Sequence, residues 1–271
     1  MKSRIVFFVC MWLVGLFARS QGICVDSLQR HQYIVRSTSY GIGSIRLLDT
    51  YLSPMGYAGS QLHMVRESTR MLRKGEGRIS RQTLFHAYVA GAENGAGTAS
   101  ELAGMLDWNY AWHYNFSLAD GKLRLLLGPM LQLHGGFIYN TRNSNNPAQA
   151  KLGVDLAASG MAVYRDKLKR LPFTMRYQLD VPLLGVMFSP QYQQSYYEIF
   201  SLGHYDGTIV LTSIHNRPVL RHWFTVDMEF RPFTLRLGYM ADMQQSEVND
   251  IKYHAYTHSF MIGVVKRLYR L

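Results

Sequence analysis

The chain of 271 residues has 29 Lys and Arg against 18 Asp and Glu, a formal charge of +11, with 48% hydrophobic and 13% aromatic residues. Most of the basic residues stand singly between apolar ones instead of clustering among aromatics. That spacing argues against nucleic acid and makes outer-membrane lipid and lipopolysaccharide phosphates the expected counter-charges. Two cysteines exclude a disulfide-stapled fold, and no cofactor or metal signature stands out.

The N-terminus reads Met1-Lys2-Ser3-Arg4, then an apolar run from Ile5 to Phe17, then Ala18-Arg19-Ser20. A basic start, a short apolar stretch and a small-x-small site predict a signal peptide over 1–20. The run is too short for a spanning helix of about 20 residues, and no later stretch comes nearer without charges. Cleavage removes Cys10 and leaves Cys24 as a lone thiol. Gln21-Gly22-Ile23 before Cys24 is not the small-residue sequence expected ahead of a lipidated cysteine. An N-terminal periplasmic segment is expected over 21–40, followed by a barrel over 41–271. If this chain meets a membrane, it does so with strands.

Three weakly alternating segments come first, near 41–52, 59–72 and 79–92. The next is far clearer. From Leu102 to Leu118 the even positions include Leu106, Trp108, Tyr110, Trp112, Tyr114 and Phe116, while the odd positions include Asp107, Asn109, His113 and Asn115. Side chains alternate between the faces of a strand, so one face is aromatic and the other polar or small. The pattern lasts about three times the usual strand length of roughly 5–6 residues, long enough to cross a bilayer at a tilt. An apolar face on lipid and a polar face on a lumen is the signature of a transmembrane β-barrel. A soluble barrel or sandwich with this aromatic face inside is the alternative.

Ala119-Asp120-Gly121 supplies an Asp-Gly hairpin signal before a strand with Leu123, Leu125, Leu127, Leu131 and Leu133 on one face. Pro129 interrupts that strand without breaking its alternation. Further strands run through Leu152–Tyr164, Phe173–Val181, Leu220–Phe230 and Phe233–Asp242. The stretch Tyr253–Leu271 is strand-like with ambiguous faces. His222 and Trp223 reverse the alternation of their strand. Short connections at Arg73–Arg78, Ala119–Gly121, Asp166–Pro172 and Arg231–Pro232 alternate with longer polar ones at Ser53–Gly59, Glu93–Ser100, Asn140–Gln149 and Gln244–Ile251. That order predicts a closed antiparallel up-and-down transmembrane barrel with both termini periplasmic. A hairpin of Tyr192–Leu202 and Thr208–His215 makes twelve strands, the preferred count; one excursion over 183–218 makes ten.

Three places are candidates for chemistry. Ser213 and His215, followed by Asn216, have the residue types of the serine–histidine–asparagine site of outer-membrane phospholipase A. Their order is reversed, however, and the surrounding sequence does not match, so hairpin capping at Asn216-Arg217-Pro218 is the plainer reading. His204, His215, His222, His254 and His258 form a loose set; on a strand His254 and His258 lie about 13 Å apart, too far to share a metal. Inward polar positions Asp107, Asn109, His113, Arg124, Asp155, Arg176, Gln178, Asp180, Asp227, Glu229, Arg236 and Asp242 carry both signs. They predict either a cross-lumen ion-pair network or a narrow pore, and long side chains favour the network. In the loop, Tyr192, Tyr196, Tyr197, Glu198 and Phe200 make either a contact surface for a glycan or secreted protein or a lid folded inward.

Asp49-Thr50-Tyr51-Leu52-Ser53-Pro54, the run from Asn140 through Asn145-Asn146-Pro147 to Lys151, and the segments Gly185–Pro190 and Gln194–Phe200 resemble a family of outer-membrane proteins of Bacteroidota-type Gram-negative bacteria. The shared domain of that family has no assigned function. The resemblance covers essentially the whole chain after the signal and implies an envelope location and a barrel, with no activity to carry over. The expected function is a barrel without catalysis, acting as a narrow pore or as a structural or interaction protein. The alternatives are lipid hydrolysis through Ser213 and His215, and partner or glycan binding through residues 183–206.

Overall fold

The computed structural model describes residues 33–72, 78–169, 171–230 and 233–269. The expected signal peptide, Cys24 and most of the short connections expected at Arg73–Arg78 and Arg231–Pro232 lie outside the described residues. Eleven strands are present: β1 Tyr33–Asp49, β2 Ser53–Met71, β3 Ile79–Asn94, β4 Ser100–Leu118, β5 Leu123–Asn140, β6 Ala148–Leu168, β7 Leu171–Phe188, β8 Ile209–Ser213, β9 Val219–Glu229, β10 Thr234–Val248 and β11 Ile251–Tyr269. A short helix, α1, spans Tyr196–Phe200. Ten strands close into an antiparallel barrel in chain order, with β11 returning to β1 through Tyr33 opposite Tyr269. The eleventh, β8, lies outside the closure. It pairs the outer end of β7, where Leu184 faces Ser213, while β9 pairs the inner end, where Asp180 faces Arg221. The two share one edge of β7, and the chain between them inserts a turn.

The ten-strand count therefore replaces the twelve expected. Tyr192–Leu202 does not form a strand because its middle is helical. Ser195 accepts from the Glu198 backbone N–H and Glu198 answers the Ser195 N–H, a capping box that nucleates α1. Two other expectations are corrected at strand ends. Residues 33–40 belong to β1, so the barrel begins before residue 41. Ser53–Gly59 and Gln244–Val248 are strand, and the true turns are Thr50–Leu52 and Asn249-Asp250, the latter with φ of +54° and +60°. Above the apolar band a strand has no need of an oily face, so polarity does not mark its end.

Following paired residues from Ile42 through Leu62, Val89 and Gly104 leads to Phe137 on β5. Going the other way, through Phe260, Tyr239, Phe224, Tyr177 and Ala162, leads to Leu125 on the same strand. The difference between 137 and 125 is the stagger of a barrel whose strands tilt by roughly 40°. Apart from Gly104, every residue on that path carries an apolar side chain. Pro129 sits within β5 as expected, and the ladder to β4 skips Trp112 and His113 there. The Trp112 carbonyl comes so close to Gly128 that a Cβ would meet it at 1.8 Å, which only glycine permits.

The β4 alternation is preserved. Asp107, Asn109, Ala111 and His113 are buried inside, and Trp108, Trp112, Tyr114 and Phe116 are exposed outside, with Tyr110 between Trp108 and Trp112. The ambiguous β11 resolves as well: Tyr253, Ala255, Thr257, Ser259 and Met261 face in, and Phe260, Ile262 and Val264 face out. Trp223 and His222 explain their reversed positions. Trp223 is buried inside under the Arg176 guanidinium at 4.4 Å, and His222 outside lies 2.5 Å from the Tyr177 hydroxyl.

Candidate functional site in the barrel interior and its lid

The inward positions of ten strands bring buried charged and polar side chains together in the lumen, so their charges must answer one another. Glu67 of β2 is the hub near the end that carries the termini. It pairs with Arg176 of β7 and with Arg236 of β10, the latter at 2.7 Å, and accepts from Gln82 at 2.7 Å and Ser37 at 3.3 Å. Arg236 also grips Asp227 in bidentate fashion, at 2.6 and 2.7 Å. Two planar guanidinium groups thus share one carboxylate across the bore, a geometry lysine does not offer.

Midway, Asp107 lies 2.9 Å from His86, which lies 3.4 Å from His63. Arg221 reaches Asp242 at 3.0 Å and Asp107 at 3.9 Å. Beside them Arg217, from the turn between β8 and β9, holds both oxygens of Asp155 at 2.6 Å, with His134 at 3.3 Å. A hydrogen-bonded chain runs from His113 to Ser159 at 3.0 Å and on to Asp180 at 2.6 Å, with Gln178 donating to Asp180 at 3.0 Å. Asn109 donates to the Leu84 carbonyl at 3.4 Å. Ten of the twelve inward residues singled out from sequence are thereby buried together. The other two, Arg124 and Glu229, sit lower: Arg124 lines a recess at the terminal mouth, and Glu229 pairs with Arg267 beside it.

Sequence reading missed Glu67, His63, His86, His134, Lys151, Arg217 and Arg221. The first three lie on strands whose outer faces carry Arg66, Ser60 and Ala87, so the alternation that exposed β4 is faint there. Lys151, on the inner face of β6, meets Asp49 at 2.8 Å and lies over the Tyr253 ring at 3.9 Å.

The loop end is closed by apolar side chains. Ile45, Leu47, Tyr57, Tyr88 and Ile138 cluster inside with Tyr51 and Leu52 of the β1–β2 turn, and Tyr196 packs on them. Above lies the 189–208 connection. Tyr196 accepts from the Ala150 N–H at 2.7 Å, the Tyr51 hydroxyl donates to the Gln194 carbonyl at 2.8 Å, and Ile199 is wholly buried. Burial raises the hydroxyl pKa of both tyrosines, which keeps them neutral. Tyr192, Tyr197, Phe200 and Tyr205 face outward, between 51% and 67% exposed. Tyr196 and Ile199 thus fold inward as a lid, and Tyr192, Tyr197 and Phe200 stay on its outer face. The loop expected over 183–206 is corrected at its start, since Leu183–Phe188 belongs to β7.

Ser213 and His215 meet through backbone, not side chain to side chain. The Ser213 hydroxyl accepts from the His215 backbone N–H at 3.4 Å, and among the described residues no hydrogen bond joins their side chains. Asn216 folds back to accept from the Ser213 N–H at 2.8 Å and to donate to the Leu211 carbonyl at 3.0 Å. The segment is a capped turn that occupies part of the free edge of β8. The outer histidines likewise pair with phenols: His258 lies 2.8 Å from the Tyr239 hydroxyl, and His254 stacks on Tyr256.

A family described as protein of unknown function (DUF3316) matches residues 5–271. The chain belongs to the DUF3316 family. No curated protein matches it. Among solved structures, the transport unit of the autotransporter AIDA-I from Escherichia coli is similar over 93% of this chain and 94% of its own, at 5% identity and a TM-score of 0.47. The β domain of the Bordetella autotransporter BrkA is similar over 88% and 99%, at 12% identity and a TM-score of 0.43. Neisserial surface protein A is similar over 86% and 96%, at 10% identity and a TM-score of 0.29. The barrel assignment rests on the chain's own strand pairing.

Proposed function

We propose that this DUF3316 protein is an outer-membrane β-barrel with a sealed lumen, which engages a glycan or secreted partner through the exposed face of its lid. The observation that carries the sealed reading is the stack of buried pairs under an apolar cluster: Glu67 with Arg176 and Arg236, Asp107 and Asp242 with Arg221, Asp155 with Arg217, and Asp49 with Lys151. Opening a path for ions would break several of these at once. The outward band of Leu, Val, Trp, Tyr and Phe supports lipid contact, since a water-soluble surface does not carry a patch of that extent. The expected signal peptide and the long lid at the opposite end from Tyr33 and Tyr269 support a periplasmic placement of both termini. The loop segments noted above suit a Bacteroidota-type envelope.

The test is conductance in planar bilayers: the refolded chain is expected to be silent, and stepwise channel currents from it would falsify the sealed reading. For the lid, a partner recovered with the intact chain is expected to be lost when Gln191–Tyr205 is replaced by a short glycine-serine linker. Recovery unchanged by that replacement refutes the lid's role.

A further inference from the structure

We propose that the terminal mouth of the barrel holds a binding site for a soluble phosphate or phosphate monoester, built on the guanidinium of Arg176. At the end opposite the lid the lumen opens into a recess lined by Arg124, Arg165, Arg176, Arg236 and Arg267 with a single carboxylate, Asp227. Arg236 is spent on Asp227 and Glu67, and Arg267 is held by Glu229. Arg124 and Arg165 have contacts of their own and add charge at the rim. Arg176 differs from all of these. Only its Nη1 is used, on Glu67; its Nε and Nη2 are buried and lack a hydrogen-bond partner. The residue is 8% exposed and its guanidinium lies over the Trp223 ring, 4.4 Å from the centroid.

An unanswered pair of N–H groups on a buried guanidinium costs stability unless something takes it up. The free edge formed by Nε and Nη2 is the fork that matches two oxygens of an oxyanion. The five arginines outnumber Asp227, Glu67 and Glu229, and that excess of positive charge favours a dianion over a monoanion, phosphate over a simple carboxylate. The recess is walled by inward side chains, so the phosphate of a bilayer lipid outside the barrel does not reach it. The site is separate from the lid and does not depend on the partner-binding reading.

Trp223 makes the proposal measurable. Replacing Trp12, Trp108 and Trp112 with Phe leaves it as the sole tryptophan of the chain, beneath the group that would bind. In the refolded chain, inorganic phosphate and glycerol 3-phosphate are expected to change its emission saturably at millimolar concentration or below. Acetate and chloride at equal ionic strength are expected to give no saturable change. Arg176→Lys keeps the charge but removes the fork, and should weaken binding at least tenfold, read by calorimetry because the ring environment itself changes. Arg124→Gln with Arg165→Gln should weaken it by a smaller factor while the barrel keeps its folded gel mobility. No saturable response to phosphate overturns the proposal, as does acetate binding equally well or Arg176→Lys binding as tightly as the parent. Binding confined to short-chain phosphatidic acid overturns the assignment to a soluble anion.

Discussion

The two ends of the lumen solve one problem with different materials. At the lid end an apolar cluster with Ile45, Leu47, Leu52 and Tyr88 is accompanied by a one-to-one ion pair, Asp49 with Lys151. At the terminal end the bore is crossed by a shared network in which Glu67 serves two arginines and Arg236 serves two carboxylates. An isolated pair can be replaced as a unit by apolar groups with little loss, because desolvation offsets most of its attraction. A shared hub has no such exchange, since removing it strands two charges together. The lid end is thus tolerant of paired substitution, and the terminal end is not.

Glu67→Ala is the largest break available. It leaves Arg176 with no described carboxylate partner and Arg236 with Asp227 alone, and is expected to cost about 3–5 kcal/mol. Denaturant unfolding in detergent micelles reads this directly, and a loss under 1 kcal/mol would dissolve the contrast between the ends. Lys151→Met should cost about 3 kcal/mol alone by leaving Asp49 buried without its cation, and much of that should return in the double variant Asp49→Asn/Lys151→Met. A double variant no more stable than the single one would make the lid-end pair a hub as well. Outside the barrel, Leu131→Arg should cost about 2–3 kcal/mol in a bilayer if its face meets hydrocarbon. An unchanged stability in lipid vesicles would mean that this face meets water.

The same contrast decides what the residues announced in advance. β4 and β5 were legible because their outer faces are strongly apolar and their inner faces polar, as with Trp108 beside Asp107 and Leu131 beside Gln132. β1–β3 were faint because Ser44, Ser60, Thr83 and Ala87 on their outer faces resemble an inner face. The hub residue Glu67 lies on β2, and so it went unseen while its partners Arg176 and Arg236 were found. Trp223 was noticed as an exception to alternation, but sequence alone does not pair it with two arginines from other strands. Strand number failed for a local reason. The aromatic run Tyr196-Tyr197-Glu198-Ile199-Phe200 has strand-like composition, and the Ser195-x-x-Glu198 cap that makes it helical was overlooked.

That cap gives the smallest effect and tests how far the lid is an independent part. Ser195→Ala removes the acceptor for the Glu198 N–H and should loosen α1 by about 1 kcal/mol. The Glu198 carboxyl is held below the usual glutamate range, chiefly by the Ser195 backbone N–H and then by its hydroxyl, with His204 nearby. A depressed carboxyl favours the folded lid wherever it is ionised. Its contribution is whole above the ordinary glutamate pKa and fades as pH falls through the lowered folded value. Amide exchange over residues 196–202, corrected for the intrinsic effect of pH, should therefore quicken on acidification in the parent. In Glu198→Gln the exchange should start faster and stay nearly flat with pH. If the two proteins respond alike, Tyr196 and Ile199 alone hold the lid, and the loop end is one rigid plug from Asp49 outward.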